Sequence, residues 1–599
     1  MIVACNNDLK MGECYMQKHR KRLMMGLLSS LIFSSGAIIA DSSGTSATSL
    51  YGAWPANNNT PTNLNIATDT LLNPGNVASL TPAWSTFGFN PTGANAVQST
   101  PVIADGVVYV AEAGGTVKAY NENGSGSPLW SSPQLTCPGL ANADGSYNEF
   151  FDESPVLTKK YVFIAGECMH KLDRSTGKEV VNPAIYDPSL GKLFSPSDIE
   201  PSQIMLAGDK VIYGIGYGDE TNATANYNMA QGKIIAFYQS DLSIAWSINL
   251  STYGAPAGSS FGPGSGTFAG GGVDSKRHLF FIGVGNQYSA PASPYSDSLL
   301  AINYNTGKLV WSYQYAANDL WGGGGDNQVY DGMHDLDVPA HPQIFSLNMI
   351  PGVATSAIDL VGARGKDGTY RIFKRDQSDP NNVLPVAQIQ LDPATANAGA
   401  IQLEPALVTD SNDNVTLYIS STSYVPDPVN APSNHSSLDY IVASGGRFAP
   451  IFLATTTVRA IDVRQLVQYG QSQIANGNTV ATCVGNLTPS RCTGQLPSSI
   501  IKWQITQFPF SPSNSSGMTY DNDILFMPGI QGKVALIQAS TGNVLGNLIP
   551  GPTTAIPGLQ AIPVFGGVSV DNGMVFAPIG VSFGGGGLPF GGMTAYKLP

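Results

Sequence analysis

The stretch "LFFIGVGNQYSAPASPYSDSLLAINYNTGKLVW" (residues 279–311) decides the fold. It holds an apolar run, a glycine and asparagine turn, a second apolar run ending in Ala-Ile-Asn, a Thr-Gly turn and a third run ending at Trp311. Short runs rich in β-branched and aromatic residues, bounded by turn residues, read as strands. The same order returns in "STPVIADGVVYVAEAGGTVKAYNENGSGSPLW" (99–130), in "ESPVLTKKYVFIAGECMHKLDRSTGKEV" (153–180), and in "KVIYGIGYGDE" followed by "GKIIAFYQSDLSIAW" (210–246). Fainter copies lie at 359–376, 416–467, 524–546 and 573–599, giving about eight units.

Units of several strands repeated at this length are blades, because one small sheet cannot bury both its faces and must stack on neighbours around an axis. The expected fold class is all-β, an eight-bladed β-propeller, as a single domain over residues 41–599. The segment from "LYGAWPANNN" to "NPGNVASLTPAW" (50–84) is expected to supply a strand that closes the ring beside "MTAYKLP" (593–599). Longer insertions at 322–334 and 425–450 are expected as loops on the faces, where propellers bind ligands.

Composition agrees. With 42% hydrophobic and 12% charged residues, the 599-residue chain can bury a large core and is too apolar to be disordered. From Met16, a second candidate start, "MQKHRKRLMMGLLSSLIFSSGAIIAD" runs from a basic stretch through an apolar run to small residues ending at Ala40. That is the pattern of a secretory signal peptide over residues 1–40, and the run is short and interrupted for a membrane span. The expected localisation is periplasmic or secreted. Removing residues 1–40 takes away five Lys/Arg and two Asp/Glu and moves the net charge from −13 to −16, which argues against nucleic acid as a partner. Four cysteines remain, an even set that favours disulfides in an exported protein. Cys483 and Cys492 flank a turn-rich segment and are expected to pair, which leaves Cys137 for Cys168. No Cys-x-x-Cys-His occurs, so covalent haem is not expected.

The repeats with their Thr-Gly-x-x-x-Trp endings resemble those of the quinoprotein (PQQ-dependent) alcohol dehydrogenases, and most nearly the polyvinyl-alcohol dehydrogenase branch. The resemblance extends over nearly all of the chain after residue 40 and is specific at four places. In "GVGNQYSAP" (283–291) the family's strand-end asparagine that ligates Ca²⁺ matches Asn286, and an amide oxygen suits a hard cation. In "GIGYGDETNATANYNMAQGKIIAFY" (214–238) the family's metal-binding glutamate matches Glu220, with Asp219 as a competing ligand. In "WSYQYAANDLW" (311–321) the family's general base matches Asp319, which also falls among the implied metal ligands. In "GARGKDGTYRIFKRD" (362–376) the cation that contacts the quinone oxygens matches Lys366. Ser202 and Gln402 fall at further cofactor-contact positions.

The resemblance therefore implies PQQ and Ca²⁺ as cofactors, a small-molecule or polymeric alcohol as substrate, and an external electron acceptor such as a cytochrome c. Three positions depart from the family: Gln98 stands where a glutamate is usual, Asp152 stands near a usual arginine, and Phe268 replaces a stacking tryptophan. Other chemistries lack support. The glycine clusters at 262–272 and 584–592 do not join a strand to a helix, which argues against phosphate or dinucleotide binding. His334 and His341 read as a solvated loop pair. The competing reading is a non-catalytic propeller of the same repeat type, acting as an exported binding or assembly scaffold.

Overall fold

The computed structural model describes residues 52–599 except 139–145, 186–199, 217–230, 268, 321–335, 340, 349–355, 378, 392–403, 424–454, 477–480, 484–496, 509–516, 530, 552–561, 581, 584–585 and 588. Eight sheets of four or five strands form an eight-bladed β-propeller. The stretch that opens the sequence reading lies in the fourth blade, whose strands Gly272–Asp274, Leu279–Gly283, Ser298–Asn303 and Lys308–Gln314 pair antiparallel in chain order. Side chains of its two middle strands are buried throughout save Asn303, because both faces of a blade pack on neighbouring blades.

One rule joins the blades. An outer-strand tryptophan donates its indole N–H to a carbonyl of the next blade: Trp130 to Arg174 at 3.1 Å, Trp246 to Tyr304 at 2.8 Å, Trp311 to Arg375 at 3.0 Å and Trp503 to Ala539 at 2.7 Å. For three of the four, Trp311 excepted, the ring lies against the glycine of the next blade's Thr-Gly turn. A Cβ on Gly177, Gly307 or Gly542 would fall 2.3, 2.7 or 2.8 Å from the ring of Trp130, Trp246 or Trp503. The Thr-Gly and Trp of the repeat are thus the two halves of one joint.

The ring closes as the sequence suggests. Thr81–Ser85 pairs with Phe590–Lys597, with Thr81 opposite Lys597, so one blade draws strands from both ends of the described chain. Trp84 then donates to Glu122 of the first blade at 2.9 Å, which repeats the same joint at the closure.

Residues 54–69 do more than was expected of them. Each blade presents the unpaired edge of its innermost strand to the axis, and such edges need partners. The strap visits these edges in ring order. Trp54 exchanges two backbone bonds with Ile103, and Pro55, Pro61, Thr62, Leu64 and Asn65 accept from the N–H groups of Leu157, Val273, Ile344, Leu407 and Tyr520. Asp69 finishes the circuit by accepting from the Gly573 N–H of the eighth blade. Ala56 packs with Ile204 and Leu206, the apolar face of the third blade.

The copy read through residue 467 ends as a strand at Asp462, where helix α1 (Val463–Ala475) begins. The Asp462 carboxylate caps it by accepting from the Gln465 N–H at 3.0 Å, and Val463, Leu466 and Val467 face inward. The disulfide Cys137–Cys168 is present. Cys492, and with it the expected Cys483–Cys492 pair, lies outside the described residues, as do the insertions 322–334 and 425–450. Among the described residues no helix is long and apolar enough to cross a membrane.

Two stability measurements test this account. Gly307 has φ +69° and faces Trp246, so Gly307→Ala is expected to destabilise the protein by about 1–3 kcal/mol through overpacking and strain. An unchanged thermal midpoint would refute the joint. Asp521 ends the inner strand of the seventh blade, where burial and then repulsion from Asp69 push its carboxyl up to about 8. An unfolded aspartate ionises near 3.9, so between about pH 4 and 8 only the folded chain holds this proton, and stability falls as pH rises through that window. Asp521→Asn removes the penalty: its thermal midpoint is expected to exceed the parent's near pH 8, with the gap closing towards pH 4.

Candidate functional site

The site is built where the repeat's loops meet, between the fourth and fifth blades. Strand Leu279–Gly283 delivers Asn286 three residues past its end, in a buried position. The segment 336–338 is laid against that strand: Val338 N–H donates to Val284 O at 3.2 Å, and Gly283 leaves room for the Val338 carbonyl, which a Cβ would meet at 1.7 Å. This close approach sinks Asp337 completely, at 0% exposure, beside Asn286.

Asp337 organises its neighbours. Its Oδ1 accepts from the Asn286 N–H at 2.6 Å and its Oδ2 from Lys366 Nζ at 2.5 Å, while its carbonyl accepts from the Lys366 N–H at 2.8 Å. The Asn286 side-chain oxygen accepts from the Leu336 N–H at 3.2 Å. Lys366 rides on a turn fixed by Asp367, whose carboxylate accepts from the Thr369 N–H at 3.1 Å and pairs with Arg371 at 2.7 Å. Arg371 in turn lies 4.1 Å over the ring of Tyr315. The "WSYQY" strand and the lysine turn are therefore one packed unit.

Asp319 joins from a third direction. Leu320 forms a parallel bridge with Gln287, which sets Asp319 level with Asn286, one residue before the paired position on each chain. Asp319 is 7% exposed. So the structure places Asn286, Asp319 and Lys366 at one blade junction and adds Asp337, which the sequence reading did not single out.

The remaining predicted residues are less concentrated. Ser202 is buried at the head of the third blade, where its Oγ accepts from the Gly214 N–H at 2.7 Å, leaving its O–H to offer. Gln98 is buried just ahead of the first blade's inner strand, and Asp152 is half-buried ahead of the second. Glu220, Phe268 and Gln402 lie outside the described residues. The oxygen donors of Asn286 and Asp319, an amide and a carboxylate, fit a hard cation such as Ca²⁺ rather than a soft metal. Lys366 supplies the positive charge an anionic quinone would need.

A second layer lies on the axis. His341 is buried, and its Nδ1 and backbone N–H both engage Glu404 Oε1, so it is not the solvated loop histidine of the sequence reading. The loop label failed because a protonated or neutral imidazole is equally at home in water or against a buried carboxylate. Asn58 of the strap donates to Glu404 Oε2 at 3.0 Å. Asn57 Oδ1 accepts from the hydroxyls of Thr100 at 2.5 Å and Ser154 at 3.1 Å. A sequence signal for this layer existed: Thr100, Ser154, His341 and Glu404 each precede a proline at the head of an inner strand.

Comparison with known proteins agrees with this architecture. The chain is 24% identical over 286 residues to quinoprotein alcohol dehydrogenase PedH of Pseudomonas putida, a match covering 43% of this chain and 45% of that protein. It is 27% identical over 293 residues to quinohemoprotein alcohol dehydrogenase ADH IIB of Pseudomonas putida, covering 45% and 40%. The chain thus spans less than half the length of these curated relatives. Among solved structures it is similar to quinohemoprotein alcohol dehydrogenase from Comamonas testosteroni, with TM-score 0.60, 16% identity and coverage of 91% and 80%. It is also similar to a europium-containing methanol dehydrogenase, with TM-score 0.59, 14% identity and coverage of 91% and 98%. Residues 54–399 match the profile "PQQ: Glucose/ethanol/alcohol dehydrogenase, beta-propeller domain", and on that match, over more than half its length, the chain belongs to this family.

Proposed function

We propose that the protein is an exported oxidoreductase that oxidises an alcohol with PQQ and Ca²⁺ and passes the electrons to an external acceptor such as a cytochrome c. The observation that carries this reading is the meeting of Asn286, Asp319, Asp337 and Lys366 at one blade junction. Bound there, the quinone and its metal would supply a hydride acceptor and a Lewis acid.

The chain's own residues do the rest. Asn286 offers an amide oxygen to the cation, and Glu220 is its proposed partner. Asp319 takes the hydroxyl proton of the alcohol on a carboxylate oxygen, a step for which a positioned base contributes about 10²–10⁴-fold. Asp337 holds Lys366 aimed, so that its ammonium meets the negative charge that develops during the reaction. Ser202, Gln98, Phe268 and Gln402 are the proposed contacts around the cofactor. A polymeric alcohol, as in the polyvinyl-alcohol branch, and a periplasmic or secreted location belong to the same proposal. The scaffold reading draws on one observation, the acidic Asp152 where an anionic cofactor favours a cation.

Reconstitution with PQQ and Ca²⁺ followed by dye-linked alcohol oxidation tests the reading. Activity is expected in the parent, with a loss of about 10²-fold or more in Asp319→Asn. A folded protein that neither binds PQQ nor turns over supports the scaffold instead. Separately, a double-mutant cycle between Asp337→Asn and Lys366→Met, read by chemical denaturation without cofactor, is expected to give a coupling of about 1–3 kcal/mol. Additive effects would show that the ion pair does not hold the lysine in place.

A further inference from the structure

The second blade carries a cluster that the proposed alcohol chemistry does not use. Cys137 lies on a short strand, Thr136–Pro138, paired with Ser146–Asn148, and Glu149 follows that second strand directly. Cys168 and His170 are two apart on strand Cys168–Asp173, so their side chains share a face. The two sulfurs, bonded to each other, and a Glu149 carboxylate oxygen all lie within 4.8 Å of one another, so reduction would leave three metal-ligating atoms side by side. His170 Nε2 stands 2.8 Å from Glu149 Oε1. All four side chains are buried.

The surroundings are arranged as they are around metal ligands. Glu149 is fixed by the Glu167 N–H at 2.6 Å and the Cys168 N–H at 3.0 Å. His170 Nδ1 is bound by Glu179 at 2.7 Å, and a carboxylate on the far nitrogen is what orients a metal-ligating imidazole and raises its basicity. The donor set of two sulfurs, one imidazole and one carboxylate suits Zn²⁺, which takes four such ligands tetrahedrally.

We propose that Cys137, Cys168, Glu149 and His170 form a Zn²⁺ site that is closed while the disulfide stands and opens when it is reduced. A dithiol supplies the two electrons: its two thiols become a cyclic disulfide, the Cys137–Cys168 bond breaks, and each sulfur gains a proton. Zn²⁺ then displaces the two thiol protons and the Nε2 proton of His170, and Glu149 completes the ligands. The disulfide clamps the segments of Cys137 and Cys168, and the metal would clamp the same two together with Glu149. Independent of PQQ, this site depends only on the redox state of the cysteines.

The test uses the full chain, reduced with dithiothreitol, freed of it anaerobically, and titrated with Zn²⁺ against a chromophoric indicator. One additional equivalent is expected in the reduced chain relative to the oxidised chain. Co²⁺ in place of Zn²⁺ is expected to show a thiolate charge-transfer band. Cys168→Ser abolishes the additional equivalent whatever the other cysteines do, and Glu179→Gln weakens it about 10–100-fold with the four ligands intact. Far-UV circular dichroism reports whether each variant is folded. Equal binding by oxidised and reduced chains, or binding that survives Cys168→Ser, overturns the proposal.

Discussion

The contact on which the ring depends is an indole laid on a glycine. Each docking tryptophan buries an aromatic face of the order of 150–250 Å², about 4–6 kcal/mol of gross hydrophobic stabilisation, and spends its one N–H on a carbonyl of the next blade. The glycine at the receiving turn is fixed by that approach, since a side chain there would occupy the ring's place. Because donor and receiver sit in the same repeat, the joint recurs, and among the described residues it links five of the eight pairs of neighbouring blades. The Trp84 joint then applies the rule across the chain's two ends.

Stacking alone leaves the inner edges facing the axis unpaired. The strap answers this with backbone rather than side chains: its carbonyls accept from the inner strands one blade after another. Its asparagines fill the axis with groups that both donate and accept. Asn63 Nδ2 reaches the carbonyls of Gly271 and Pro342 at 2.9 and 3.0 Å, and Asn65 Nδ2 reaches Pro405 at 3.2 Å. A polyapolar strap would have left those carbonyls without donors, at roughly 1–3 kcal/mol each.

How much of this could be read beforehand follows from the range of each interaction. The blades were legible because strand, turn and docking tryptophan all lie within one repeat of about thirty residues, and the closing strand was legible because a leftover β segment at each end must pair. The Cys137–Cys168 bond was expected by elimination, once Cys483 and Cys492 were read as a local pair. The strap was not legible: "NNNTPTNLN" has no periodicity, and asparagine reads as a turn residue until the edges it satisfies are in view. Helix α1 hid behind a strand of the same apolar tone, although Asp462 and Gln465 are its capping signature. Asp337 was missed because its partners, Asn286 and Lys366, are distant in sequence on either side and only the pressing of 336–338 against Gly283 unites them.

That last case shows where chemistry can reside in so uniform a frame. The joints constrain the outer strands and the Thr-Gly turns, and the strap constrains the middle of the inner strands, so only the heads of the inner strands and the loops above them are free to differ. There the repeat does break its pattern: threonine and serine before proline give way to His341 and Glu404, and a buried carboxylate is driven between two blades to meet a lysine. A buried ion pair of this kind adds little net stability over well-packed apolar groups, because desolvation offsets its attraction. Its place at the junction that also holds Asn286 and Asp319 is therefore better explained by what it positions than by what it stabilises.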